Sequence, residues 1–168
     1  NDAEHLYYIG LSYLNGIDLE KNSDLGIDLI EQAAKQKFVP AMIKMAELYQ
    51  EGNGVRRDYH KTLYWKEKVL EEKERLLKEG RLPENRKEYF EDLIYHFIGL
   101  AEGYSRIYEF EKSKQCFEKI AAYTEPLRKE IDSFYLGKMH VAACQRVGLW
   151  YLDRREVEMA AAWLAKAT

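Results

Sequence analysis

The sequence repeats one five-residue pattern four times, as IGLSY (9–13), MAELY (45–49), LAEGY (100–104) and VGLWY (147–151). An apolar residue is followed by Gly or Ala, then by two variable positions, and then by Tyr. After each pattern comes a small residue with a large apolar residue three or four positions later: Gly26 and Leu29, Thr62 and Trp65, Ser113 and Phe117, and Ala160 and Trp163. Recurrence at this scale is typical of stacked repeats.

The residues between these patterns are typical of α-helices. Leu, Ala, Glu and Lys dominate them, β-branched runs are absent, and each of the three prolines falls where a helix is expected to begin. We expect Thr124 to cap one such helix, with Pro126 in its first turn. Apolar residues at helical spacing predict eight helices, at about residues 2–15, 23–37, 40–50, 59–78, 84–108, 111–123, 125–151 and 154–168.

The small residues of the patterns suit close crossings between helices. Gly or Ala lets two backbones approach, and the Tyr ring fills the space beside the crossing. One helix pair cannot bury its apolar faces alone, whereas stacked pairs can. The sequence therefore predicts an all-α fold, an α-solenoid of about four stacked antiparallel helix pairs that form a right-handed superhelix. We expect residues 1–168 to form a single helical-repeat domain.

One stretch in the first half of the chain resembles a Sel1-like repeat. The family pattern of Leu-Gly, Tyr, Gly-x-Gly-Val, Asp, Lys-Ala and Trp is met by Met45-Ala46, Tyr49, Gly52, Gly54-Val55, Asp58, Lys61-Thr62 and Trp65. The resemblance implies one Sel1-like repeat in residues 1–38 and another, with an extended second helix, in residues 39–79. Residues 84–123 and 124–168 resemble the related tetratricopeptide repeat, and we expect the last of these units to be truncated.

Charge and motif content argue against several classes of function. The net charge is −3 and the pI is near 5.9, whereas nucleic-acid binders usually carry a concentrated basic face. No apolar run approaches the ~20 residues that a membrane span needs. The four histidines lack metal-ligand spacing, and no glycine-rich phosphate loop follows a predicted strand. We therefore expect no nucleic acid, no membrane span, no cofactor, no metal and no catalytic residue.

An enzyme is the weakest alternative. It needs a buried cluster of ionisable groups, for example a pocket that holds His96 or His140 beside two carboxylates. Cys116 and Cys144 fall in apolar helical patterns, which favours buried thiols of a reducing compartment over a disulfide between repeats. This interpretation predicts a cytoplasmic protein.

The resemblance to tetratricopeptide repeats implies a partner-binding groove on the concave face, lined by the first helix of each pair. Its residues would lie at fixed offsets from the Gly or Ala of the repeated pattern. They are Tyr7, Leu11, Ile43, Glu47, Gln50, Tyr95, Ile98, Glu102, Arg106, Gln145 and Leu149, with Leu14, Glu51, Ser105, Leu152 and Asp153 as further candidates. This aromatic, aliphatic and acidic mixture suits a peptide or helix with apolar anchors and some basic residues.

The leading interpretation is a non-catalytic scaffold that binds a partner protein or peptide in this groove. The alternative is a regulatory sensor or self-assembly domain that contacts a sister domain or a second copy. It is motivated by the apolar face around Trp163, which the sequence leaves without a matching helix. Because the chain starts at Asn1 without Met and ends in an apolar helix, we expect a piece of a longer bacterial protein whose repeats continue past Thr168.

Overall fold

The computed structural model describes residues 2–167, and in this part of the chain it contains eight α-helices and no strand. The all-α prediction is therefore confirmed. Asn1 and Thr168, on which the expectations about the chain ends depend, lie outside the described residues. The helices are α1 (Asp2–Asn15), α2 (Ser23–Lys35), α3 (Val39–Glu51), α4 (Tyr59–Lys78), α5 (Arg86–Arg106), α6 (Phe110–Glu130), α7 (Phe134–Asp153) and α8 (Val157–Ala165).

The chain divides into two compact units, which we call unit 1 (Asn1–Glu79, with α1–α4) and unit 2 (Gly80–Thr168, with α5–α8). Within each unit every helix packs against the next one along the chain. In unit 2, α5 also contacts α7. Sequential packing of helices joined by short loops is the arrangement of stacked helix pairs. No helix within residues 2–167 is both long and apolar enough to cross a membrane.

The small residues of the repeated pattern lie where helices cross, as predicted. In unit 1, a Cβ atom added to Gly26 would come within 2.7 Å of the Gly10 carbonyl oxygen and of the Leu14 backbone nitrogen. In unit 2, a Cβ atom on Gly148 would come within 2.8 Å of the Leu164 side chain. The four pattern tyrosines are buried or half-buried. The small residues of the pattern thus mark positions where neighbouring helices pack closely.

Local capping explains most of the helix boundaries. The side chains of Asn22, Asp58 and Asn85 accept hydrogen bonds from backbone N–H groups in the first turns of α2, α4 and α5. Helix α3 ends at Glu51 and is capped by Gly52, whose φ of 76° lies in the left-handed region that Gly adopts without strain. Pro40 lies in the first turn of α3, where its missing N–H costs little.

The predicted boundary at Thr124 is wrong. Helix α6 continues through Thr124 and Pro126 and ends at Glu130, and α7 begins only after Ser133, which caps it. Burial explains this result, because the apolar face of α6 continues through Ile120 and Leu127. The Thr124 hydroxyl donates to the Ile120 carbonyl at 2.7 Å, so its hydrogen bond lies within the helix interior instead of capping a new helix. An interior proline costs about 3 kcal/mol, and the buried face offsets that cost.

Candidate partner-binding groove

In unit 1, the predicted groove residues on α1 and α3 pack largely into the core. Tyr7, Leu11 and Ile43 are half-buried and contact the buried cluster formed by α1–α4. The Tyr7 ring meets the Phe38 ring edge-on, with 5.5 Å between their centroids. Burial raises the pKa of the Tyr7 hydroxyl, while the positive charge of Lys44 acts in the opposite direction. This face of unit 1 is therefore filled by its own side chains.

The polar groove residues of unit 1 lie on the exposed side of α3. Glu47 and Gln50 are both exposed. The Glu47 carboxylate accepts from the Lys44 ammonium at 3.2 Å, one helical turn away. The two charges on this face thus compensate each other, although an exposed pair of this kind stabilises the helix by only a few tenths of a kcal/mol.

In unit 2, the face between α5 and α7 holds an open cavity of about 460 Å³. This volume lies within the ~300–1,000 Å³ range of ligand pockets. Apolar side chains from α6 and α7 form most of its wall, and charged groups stand at its edge. The lining residues are Ile98, Glu102, Ser105 and Arg106 of α5, Phe117 and Ile120 of α6, and Met139, Ala142, Ala143 and Arg146 of α7. We call this surface the α5–α7 groove.

The structure brings three of the main predicted residues, Ile98, Glu102 and Arg106, together in this cavity, along with the further candidate Ser105. A fourth, Tyr95, lies on the same face of α5 one turn earlier, and 67% of its surface is exposed. Burial, followed by the charges of Glu91 and Tyr95, raises the pKa of the Tyr135 hydroxyl on α7. These groups therefore lie near one another at the end of the α5–α7 groove opposite Arg106.

The α7 side of the groove differs from the prediction. Gln145 and Leu149 are exposed and do not line the cavity, whereas Met139, Ala142 and Arg146 do. The reason is a shift in register between the two helices. Arg106 and Arg146, which both line the cavity, are forty positions apart in the sequence, and Tyr95 and Tyr135 have the same separation. The pattern tyrosines Tyr104 and Tyr151, in contrast, are 47 positions apart. Offsets counted from Gly148 therefore miss the contacting residues by about two helical turns.

Comparison with known families identifies the repeats of unit 1. A model described as Sel1 repeat matches residues 4–38 and 39–68. Residues 4–68 of unit 1 therefore match two consecutive Sel1 repeats. The resemblance based on Met45–Trp65 is thereby confirmed, and the first Sel1 repeat coincides with α1 and α2. The match ends at residue 68, so the α5–α7 groove lies outside the two matched Sel1 repeats.

Two solved structures resemble the chain. A Sel1 repeat protein from Oxalobacter formigenes is 18% identical over 98% of this chain and 57% of its own length, with a TM-score of 0.50. A protective antigen of uropathogenic Escherichia coli with an SLR fold is 18% identical over 98% of this chain and 45% of its own length, with a TM-score of 0.41. The chain thus spans about half the length of these proteins. At this identity, the first match shows the helical-repeat fold alone. A search of curated protein sequences finds no significant match.

Beyond the Sel1 repeats, unit 2 contains a buried polar cluster around His140. The imidazole is only 1% exposed. Its Nδ1 lies 3.0 Å from the Thr124 hydroxyl, and its Nε2 lies 2.9 Å from a Glu125 carboxylate oxygen and 3.1 Å from the Lys166 carbonyl oxygen. Both ring nitrogens are therefore engaged by the protein, and the cluster ties α6, α7 and the end of α8 together.

The side chains around His140 are of the types expected in an enzyme pocket, but their arrangement does not suit catalysis. A cavity of about 490 Å³ is lined by His140 together with Glu118 and Glu125. The nearest thiol, Cys144, lies 3.6 Å from His140, but burial raises its pKa and so keeps it protonated. A buried thiol of this kind is a poor nucleophile. Among the described residues no group of His, Cys, Asp and Glu side chains has the arrangement of a metal site.

Proposed function

We propose that this chain is a protein-interaction module that binds a peptide segment of a partner protein in the α5–α7 groove. The observation that carries the proposal is the open cavity of about 460 Å³ in which Ile98, Glu102 and Arg106 meet residues of α6 and α7. Partner proteins commonly place an anchoring side chain in a pocket of this kind, surrounded by polar groups that fix its orientation. In unit 1, by contrast, the apolar groove residues Tyr7, Leu11 and Ile43 contact the core.

We also infer that the module is not catalytic. The most enzyme-like cluster centres on His140, whose two nitrogens already contact Thr124, Glu125 and the Lys166 carbonyl group. A general base needs a nitrogen within hydrogen-bond reach of its substrate. Buried thiols at Cys116 and Cys144, which no disulfide joins, support a reducing and therefore cytoplasmic location.

The proposal is tested by filling the cavity. Ala142 is half-buried in its wall, and Ala142→Trp would place an indole where the partner's side chain is expected. Quantitative mass spectrometry of proteins captured by the intact chain should show at least a tenfold loss of specific partners for this variant. Lys129→Trp adds the same ring at an exposed position of α6 outside the cavity and should capture the partners normally. Equal capture by both variants would refute a binding role for the groove.

A second candidate function is self-assembly through α8. Helix α8 exposes Val157 (63%), Met159 (45%) and Leu164 (37%), which is an unusual apolar display for nine helical residues. If these side chains mediate contact with a second copy, light scattering should show dimers whose fraction rises with concentration. Met159→Glu should return the chain to a monomer. A monomer at every concentration would exclude this alternative.

A further inference from the structure

The α5–α7 groove carries two guanidinium groups that have no anionic partner. Arg106, the last residue of α5, and Arg146 of α7 both line the cavity, and both are exposed. Neither forms an ion pair with a carboxylate anywhere in residues 2–167. The Arg146 guanidinium lies 5.9 Å from the centroid of the Phe117 ring, at the apolar floor of the cavity. The two cations thus stand directly beside apolar surface.

Glu102 is the one acidic side chain among the cavity-lining residues. It lies one helical turn before Arg106, but the two do not form an ion pair. The lining therefore has an excess of positive charge at the end where Arg106 and Arg146 stand. Two other cations of unit 2 do have carboxylate partners: Lys114 pairs with Glu111 and Glu118, and Arg128 pairs with Glu125.

This arrangement sets a requirement for any partner that covers the groove. In the uncovered groove, water solvates the two guanidinium groups. A partner that buries an apolar side chain against Phe117 and Ile120 would remove part of that water, and an unpaired charge in such a site is costly. A carboxylate from the partner compensates this cost, because it forms charge-assisted hydrogen bonds with Arg106 and Arg146.

We propose that the α5–α7 groove binds an acidic peptide segment in which a bulky apolar side chain lies next to Asp or Glu. The apolar side chain enters the cavity against Phe117 and Ile120, and the carboxylate meets Arg106 and Arg146. Glu102 repels a second carboxylate one turn away, so it fixes the direction in which the segment lies. This inference rests on the proposed function and adds the chemistry of the partner to it. It also replaces the basic partner that the sequence suggested.

The experiment uses the intact chain and a phage-displayed library of random twelve-residue peptides, selected at 50 mM NaCl. We expect the selected peptides to be enriched in an aromatic or large aliphatic residue flanked by Asp or Glu. One selected peptide is then synthesised with a fluorescent label, together with a version in which each acidic residue is replaced by its amide. Fluorescence anisotropy should show at least tenfold weaker binding of the amide version, and weaker binding of the acidic one at 500 mM NaCl.

Charge reversal on the protein provides the complementary test. Arg106→Glu combined with Arg146→Glu should weaken binding of the acidic peptide at least tenfold, since charge-assisted hydrogen bonds become repulsive contacts. Lys129→Glu makes one charge reversal on the exposed surface of α6 and should leave the affinity within about twofold. Circular dichroism spectra and melting curves of all variants establish that each one remains folded.

The outcomes separate this inference from the proposed function. Acidic peptides that lose affinity in the double arginine variant and in Ala142→Trp support both. Peptides that are blocked by Ala142→Trp but carry no acidic residues, or bind the double arginine variant normally, overturn the acidic partner and leave the groove as a binding site. Peptides unaffected by either variant, or a library that yields no specific binder, overturn both.

Discussion

Unit 1 and unit 2 are each built from four consecutive helices, but they differ in the face between the first helices of their pairs. In unit 1, Tyr7, Leu11 and Ile43 contact the core, and the Lys44 and Glu47 charges pair with each other. In unit 2, the corresponding face is open, and the charges of Arg106 and Arg146 are uncompensated. The two units thus give one face that is filled by its own side chains and one that holds an open cavity.

Helix length accounts for part of this difference. In unit 1, α1, α2 and α3 have 14, 13 and 13 residues, whereas α5, α6 and α7 of unit 2 have 21, 21 and 20. The shorter helices are those matched by the Sel1 repeat model, and α1 and α2 cross tightly at Gly10 and Gly26. The comparison predicts that substitutions in unit 1 mainly change stability, whereas substitutions in the groove of unit 2 mainly change binding.

The largest effect is expected at the tryptophans that occupy equivalent positions in the two units. Trp65 is buried, and Trp65→Ala should lower the free energy of unfolding by about 3–5 kcal/mol. Trp163 is half-buried beside an open cavity, so Trp163→Ala should cost less than half as much. Urea denaturation followed by circular dichroism measures both changes. Equal costs at the two sites would contradict the view that Trp65 is packed more tightly than Trp163.

A smaller effect is expected at the glycines. Gly26→Ala should lower the free energy of unfolding by about 1–3 kcal/mol, because its Cβ atom would overlap the backbone of α1 at 2.7 Å. Gly137 is the matched control, since it lies inside α7 with no atom within 4 Å of an added Cβ. Gly137→Ala should raise stability by about 0.5–1 kcal/mol through the higher helix propensity of Ala. A melting temperature that rises in both variants would show that the α1–α2 crossing is looser than described.

Much of this fold could be predicted because local and tertiary preferences agree along most of the chain. The Gly and Ala of the repeated pattern identify the helix crossings, and Asn22 and Asp58 identify helix starts. The prediction failed at Thr124 and Pro126, where local preference for a helix start opposes burial. The continuous apolar face through Ile120 and Leu127 decides the outcome there, and sequence spacing gives no measure of that competition.

The candidate site was less predictable than the fold. Counting from the pattern residue of α5 selected Ile98, Glu102 and Arg106, and these three residues line one cavity. The same count on α7 selected Gln145 and Leu149, because it assumed that equal positions in two repeats lie at the same level. The shift of about two turns between α5 and α7 depends on tertiary packing, and it placed Arg146 in the cavity instead. The charge of the proposed partner changed with that one residue.

The smallest expected effect concerns the pH dependence of the closed face in unit 1. Burial raises the pKa of the Tyr7 hydroxyl in the folded chain above its ordinary value near 10. As the pH rises past 10, the unfolded chain therefore loses this proton before the folded chain does, and stability contributed by neutral Tyr7 is lost. Tyr7→Phe should accordingly make the loss of stability between pH 9 and pH 11 shallower than in the original chain.

Urea denaturation at pH 7, 9, 10 and 11 measures this difference, and the pH 7 value serves as the reference because the Tyr7 proton is bound in both states there. Tyr135→Phe is the corresponding variant in unit 2, since burial also raises the pKa of the Tyr135 hydroxyl. Tyr7 lies on the filled face and Tyr135 at the end of the groove, so a bound peptide should alter the pH profile that depends on Tyr135 and leave the one that depends on Tyr7 unchanged. The reverse pattern would move the binding surface to unit 1.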